Sequence, residues 1–131
     1  MVKDKSFDFI HINHVLEHVG DPTAMLAAIN RYLKSGGYLC LEVPNEFFSL
    51  ATRIKMALGI KYNSSTAYFT HRYFFSRKTL SVLIAKFPSL KILSLKTPYI
   101  AQNMDLPHKV IDSLQSSIRM GAVLECVCQK K

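Results

Sequence analysis

The chain has 131 residues, 49% of them hydrophobic, with a formal net charge of +8 and a mean hydropathy of +0.11. That length suits a single domain with its own core, and no apolar run approaches the roughly 18–20 residues that a membrane-spanning helix needs. The opening MVKDKSFD carries two Asp and no apolar stretch, so it does not read as a secretory leader.

The predicted elements follow in a regular order. Residues 7–12, FDFIHI, form a short apolar run followed by a turn, as in a strand buried on both faces. Asp21 can cap a helix with Pro22 at its first position, and Met25, Leu26, Ile29, Tyr32 and Leu33 recur at helical spacing. Lys34 falls in the expected last turn, and Gly36-Gly37 ends it. Residues 38–43 read as the next strand, stopped by Pro44. Strand, helix and strand between residues 7 and 43 make a βαβ unit, which requires parallel pairing and a right-handed crossover.

Further on, residues 46–58 predict a helix with Phe47, Leu50, Ala51, Ile54, Ala57 and Leu58 on one face, and 59–71 a loop. Ser76 caps a helix reaching about Lys86, with Leu80, Leu83, Ile84 and Phe87 inward. Residues 90–97 and 122–129 read as strands, and 105–119 as a helix between them. Cys40, Cys126 and Cys128 are odd in number and sit in apolar strands. Reduced, buried thiols and a cytoplasmic location follow as expectations.

His14-x-x-Glu17-His18 is the densest group of reactive side chains. H-x-x-E-H is also the inverted zinc-protease signature, but that chemistry needs both histidines on one face of a long helix. Gly20-Asp21-Pro22 leaves room for little more than one turn here. Histidines titrate near neutrality and suit general-base work, with Glu17 to orient one imidazole.

The chain resembles the C-terminal half of a class I S-adenosylmethionine-dependent methyltransferase, in the small-molecule O-methyltransferase-like branch. The residues that carry the resemblance are Phe7-Asp8-Phe9-Ile10, His14 to Val19, Asp21-Pro22, Leu33-Lys34-Ser35-Gly36-Gly37, Val43-Pro44-Asn45 and the block His71 to Ser76. It implies an α/β fold: a partial Rossmann-like sheet made of the family's last four strands, the final one antiparallel, with flanking helices. Residues 1–131 would then be one domain without the glycine-rich cofactor loop; the glycines stand at 20, 36, 37, 59 and 121 and form no such motif.

By that resemblance Asn13, His14 and Val15 lie beside S-adenosylmethionine, with weak or no binding by this chain alone. His14, His18 and Glu17 become the catalytic candidates, and Pro44, Asn45, His71 and Arg72 border the substrate. Plain turn chemistry remains the alternative for Asn13, Pro44 and Asn45, and loop fixing for His71. Some members carry Glu-x-x-Glu-His at this point and bind a divalent metal; His14 replaces the first Glu, and no metal is assigned. The reaction implied is methyl transfer to a hydroxyl of a small, lipid-linked or phosphorylated acceptor. The other reading is a non-catalytic methyltransferase-like subunit acting through a partner chain.

Charge bears on partners. Residues 1–65 hold 7 Lys/Arg and 6 Asp/Glu, whereas residues 66–131 hold 10 and 3, so the basic excess lies in the second half. That favours acidic acceptors or an anionic membrane surface, contacted through the 46–58 lid segment; a solvated surface without a partner, and an ordinary helix packed on the sheet over 46–58, are the plainer alternatives. The lysines are dispersed without an arginine-rich run, which speaks against a nucleic-acid module. The mean hydropathy and an apolar first strand predict self-association, or a complementary N-terminal half covering the strand's open edge.

Overall fold

A computed structural model describes residues 4–45, 50–60, 71–98, 113, 117 and 121–131. The elements are β1 (Phe7–Asn13), α1 (Pro22–Tyr32), β2 (Leu33–Pro44), α2 (Leu50–Ala57), α3 (Arg77–Ala85), β3 (Leu90–Lys96) and β4 (Val123–Lys130).

Helix α1 starts where the sequence predicts. The Asp21 carboxylate accepts from the backbone amides of Thr23 at 2.8 Å and Ala24 at 3.1 Å, and Pro22 follows it. The helix ends at Tyr32 rather than at the glycines, because Leu33 turns extended and is fully buried. Lys34 therefore leaves the helix and pairs instead with Asp8 of β1, Nζ to Oδ2 at 2.8 Å. The Gly-Gly step lies inside β2, where the β1 register shifts between Phe7 and Phe9. Gly36 takes a left-handed φ of 82°. A Cβ on Gly37 would fall 2.9 Å from the Lys34 carbonyl oxygen and 3.0 Å from that of Asp8. The glycines serve a strand irregularity, not a helix stop.

Helix α3 opens on a reciprocal cap. The Thr79 amide donates to Ser76 Oγ at 3.1 Å, and the Ser76 amide to Thr79 Oγ1 at 2.8 Å. Arg77 Nη1 donates to the Leu95 carbonyl at 2.6 Å, fastening α3 to β3.

The sheet order is β1-β2-β4-β3. β1 and β2 run parallel, and β4 is antiparallel to both β2 and β3. The last strand thus inserts between its two predecessors, as the resemblance implies. Alternate residues of each strand point to the same face. One face presents Ile12, Leu39, Leu41, Val43, Leu124, Cys126 and Cys128, which join Leu26 and Ile29 of α1 and Leu80 and Ile84 of α3 in the core. The opposite face presents Phe9, His11, Tyr38, Cys40 and Glu42, none of them buried. Phe9 is 58% exposed, and β1 pairs on one side only among the described residues. The expectation that residues 7–12 are covered on both faces therefore holds for one face.

Every described side chain from Arg53 to Ile60 is exposed, Leu58 at 69%, so Ile54 and Leu58 do not pack inward as their spacing suggests. The expected helix over 105–119 lies outside the described residues save for Ser113 and Ser117. Cys126 and Cys128 are buried and free, their sulfurs 3.7 Å apart, while Cys40 is half-buried. No helix among the described residues is long and apolar enough to cross a membrane.

Candidate functional site at the carboxyl ends of the strands

Parallel pairing sets Asn13 at the end of β1 opposite Glu42 of β2, so both strands open at the same end of the sheet. In open α/β sheets ligands bind outside these carboxyl ends. The chain leaves β1 through His14, whose φ of 51° is left-handed and whose amide donates to the Glu42 carbonyl at 3.0 Å. A left-handed non-glycine residue stores roughly 1–3 kcal/mol of strain and occurs where the surroundings hold it in place.

The turn that follows is pinned from below. Leu16 is fully buried, and Glu17 is 1% exposed, while His14, Val15 and His18 face outward. The Glu17 carboxylate lies 3.4 Å from His14 Nδ1 and 3.8 Å from His18 Nε2, and neither of its oxygens has a hydrogen-bond partner among the described residues. A buried carboxylate without hydrogen bonds is costly and needs a compensating role.

The 71–75 segment closes over this turn. The amides of Arg72 and Tyr73 donate to the Glu17 carbonyl at 2.8 and 3.1 Å, and the Tyr73 hydroxyl donates to the Gly20 carbonyl at 2.9 Å. His71 meets His18 edge to face with ring centroids 4.7 Å apart. A Cβ on Gly20 would lie 3.8 Å from Arg72 Nη1, so the guanidinium lies beside the turn. Glu17, His18 and His71 offer ligand atoms within 4.8 Å of one another.

Asn13, His14, Val15, Glu17, His18, His71 and Arg72 thus form one group. Pro44 and Asn45 stand at the neighbouring end of β2. Asn45 is 2% exposed; its side-chain amide donates to the Gly121 carbonyl at 2.7 Å, and its backbone amide to the Ala122 carbonyl at 2.7 Å. Its Oδ1 has no partner among the described residues. The sequence reading missed the Tyr73–Gly20 tie and the His18–His71 contact. Only the occurrence of a second histidine-bearing block hinted at the latter.

A parallel βαβ unit with its site at the strand ends, and an antiparallel strand inserted beside it, defines part of a class I methyltransferase fold. The sequence agrees: a family model described as "Methyltransferase domain" matches residues 1–87, and the chain belongs to that family. It is 25% identical to a Thermotoga maritima S-adenosylmethionine-dependent methyltransferase, described as a possible histamine N-methyltransferase. That likeness has a TM-score of 0.66 and covers 99% of this chain and 59% of the other. A loganic acid methyltransferase solved with S-adenosylhomocysteine is similar at a TM-score of 0.64 and 12% identity, a likeness of fold, covering 98% of this chain and 63% of its own. A 39-residue stretch is 41% identical to an uncharacterized methyltransferase of Schizosaccharomyces pombe, covering 30% of this chain and 14% of that one. The chain therefore spans under two thirds of the length of these relatives. S-adenosylmethionine is the cofactor of the class. The exposed turn at Asn13–Val15 fits one wall of such a site, and no glycine-rich loop in this sequence supplies the other.

Proposed function

We propose that this chain forms the acceptor side of an S-adenosylmethionine-dependent methyltransferase acting on a hydroxyl. The observation that carries the reading is the Glu17 carboxylate, buried between two outward-facing histidines at the mouth of the parallel strands. The sulfonium is an activated donor, so the protein's work is positioning the acceptor, excluding water and taking up one proton. His18 is the base in this scheme, held edge to face by His71 and oriented by Glu17. His14 and the backbone at Asn13 and Val15 border the methyl donor, Pro44 and Asn45 line the neighbouring strand end, and Arg72 meets an acidic group of the acceptor.

The exposed Ile54, Met56, Leu58 and Ile60, interleaved with Arg53 and Lys55, suit contact with an anionic interface and favour a lipid-linked acceptor. The open β1 edge, with Phe7 and Phe9 exposed, suits a covering segment that completes the donor site, or a second copy. A second reading places a divalent cation on Glu17, His18 and His71, favoured by the two unpartnered carboxylate oxygens.

Ultraviolet cross-linking of labelled S-adenosylmethionine to the chain tests the proposal. Label should map to residues 13–19. Label confined to α3 or β3 refutes the donor wall and leaves a non-catalytic methyltransferase-like subunit.

A further inference from the structure

A second group of side chains lies away from the strand-end turn, on the open face of the sheet, and the sequence reading did not single it out. The β1–β2 register sets His11 directly opposite Cys40, and Glu42 follows two residues on, so all three share one face. We propose that His11, Cys40 and Glu42 form a binding site for a thiophilic divalent cation of the zinc class. The inference stands apart from the methyl-transfer reading and uses none of its residues.

The geometry is near what such an ion requires. His11 Nε2 and Glu42 Oε1 are 2.9 Å apart, and one ligand atom from each of the three residues lies within 4.8 Å of the others. Tetrahedral zinc with bonds of 2.0–2.3 Å holds its ligand atoms about 3.3–3.8 Å apart. Side-chain torsions can close that difference while the ladder between β1 and β2 keeps the backbone fixed. One imidazole, one thiol and one carboxylate are a donor set that zinc accepts; magnesium and calcium prefer oxygen alone. Three protein ligands leave the fourth position of a tetrahedral ion to water or another donor.

Charge favours a cation here. Glu42 stands directly across from Glu125 of β4, and like charges in that relation repel. Lys96 offsets part of this through Glu125, Nζ to Oε1 at 3.0 Å. The negative field of Glu42 and Glu125 stabilises a bound divalent cation, which displaces the Cys40 thiol proton to solvent as the sulfur coordinates. Cys126 and Cys128 lie on the opposite, buried face and belong to the core.

Cobalt(II) titration of the reduced, metal-free chain reads the site directly, because a thiolate ligand gives a near-ultraviolet sulfur-to-cobalt charge-transfer band. The band should saturate at one equivalent and disappear when zinc is added. Cys40→Ser should abolish it. His11→Ala should weaken cobalt binding at least about tenfold, since even residues behind a ligand matter by 10–100-fold. His71→Ala should leave the band intact, which separates this site from the strand-end cluster. Absence of the band, or its survival in Cys40→Ser, overturns the proposal. Independently of any variant, zinc should protect Cys40 of the unaltered chain from alkylation; labelling at the same rate with and without zinc overturns it too.

Discussion

Glu17→Leu removes a carboxylate from a position that is 1% exposed and where neither oxygen has a hydrogen-bond partner among the described residues. Leaving a polar group buried and unpaired costs about 1–3 kcal/mol, and more when it is charged. The opposing term is attraction to His14 and His18 at 3.4 and 3.8 Å. Those side chains are 47% and 41% exposed, so solvent screens each pair to below about 1 kcal/mol even when the imidazole is protonated. The burial term wins, and Glu17→Leu should stabilise the chain by about 1–2 kcal/mol. For a domain of this size that is a rise in Tm of roughly 3–8 °C. Urea denaturation followed by far-ultraviolet circular dichroism, with chelator present and at fixed pH, measures it. A loss of stability would refute the reasoning, for it would mean that the carboxylate holds the turn together. Gain in stability with loss of cofactor-dependent chemistry is the signature of a functional residue kept at structural expense.

Two further substitutions test the frame around the site. Asn45→Ala takes away the amide that donates to Gly121 at 2.7 Å and leaves that carbonyl unsatisfied, so it should destabilise by about 2 kcal/mol; unchanged urea midpoints would show that the bond contributes nothing. Gly37→Ala forces a Cβ to within 3.0 Å of two backbone carbonyl oxygens and should cost about 1–3 kcal/mol. Gly36→Ala, with nothing within 4 Å, bears only the strain of its positive φ, about 1–2 kcal/mol. Thermal melts of the pair check the ranking, and a smaller loss at Gly37 than at Gly36 contradicts the packing account.

The elements that the sequence made legible are those governed by local chemistry. The Asp21-Pro22 start of α1 and the Ser76 cap of α3 are side-chain-to-backbone bonds made within three residues, so spacing alone reveals them. The end of α1 is different. Leu33, a good helix former, turns extended because it is buried against the sheet and paired with Phe7 of β1, a tertiary demand that helical periodicity cannot see. The Gly-Gly pair punctuates either a helix end or a strand irregularity, and only the neighbouring strand decides. In the site, His14, Glu17 and His18 were legible because they share one turn. His71 reaches His18 from 53 positions away, and no periodicity encodes that meeting. The insertion of β4 between β2 and β3 followed from the family pattern, not from anything in residues 122–129.

That insertion governs the order in which the molecule can assemble. β2 and β3 are not paired with each other; β4 lies between them and joins β3 to the β1–β2 pair, and Tyr38 must find Gln129, 91 positions later. A ribosome therefore delivers β1, α1 and β2 long before the strand that joins them to β3 exists. During that interval the nascent β2 exposes an unsatisfied apolar margin, the condition in which emerging polypeptides adhere to one another and engage chaperones.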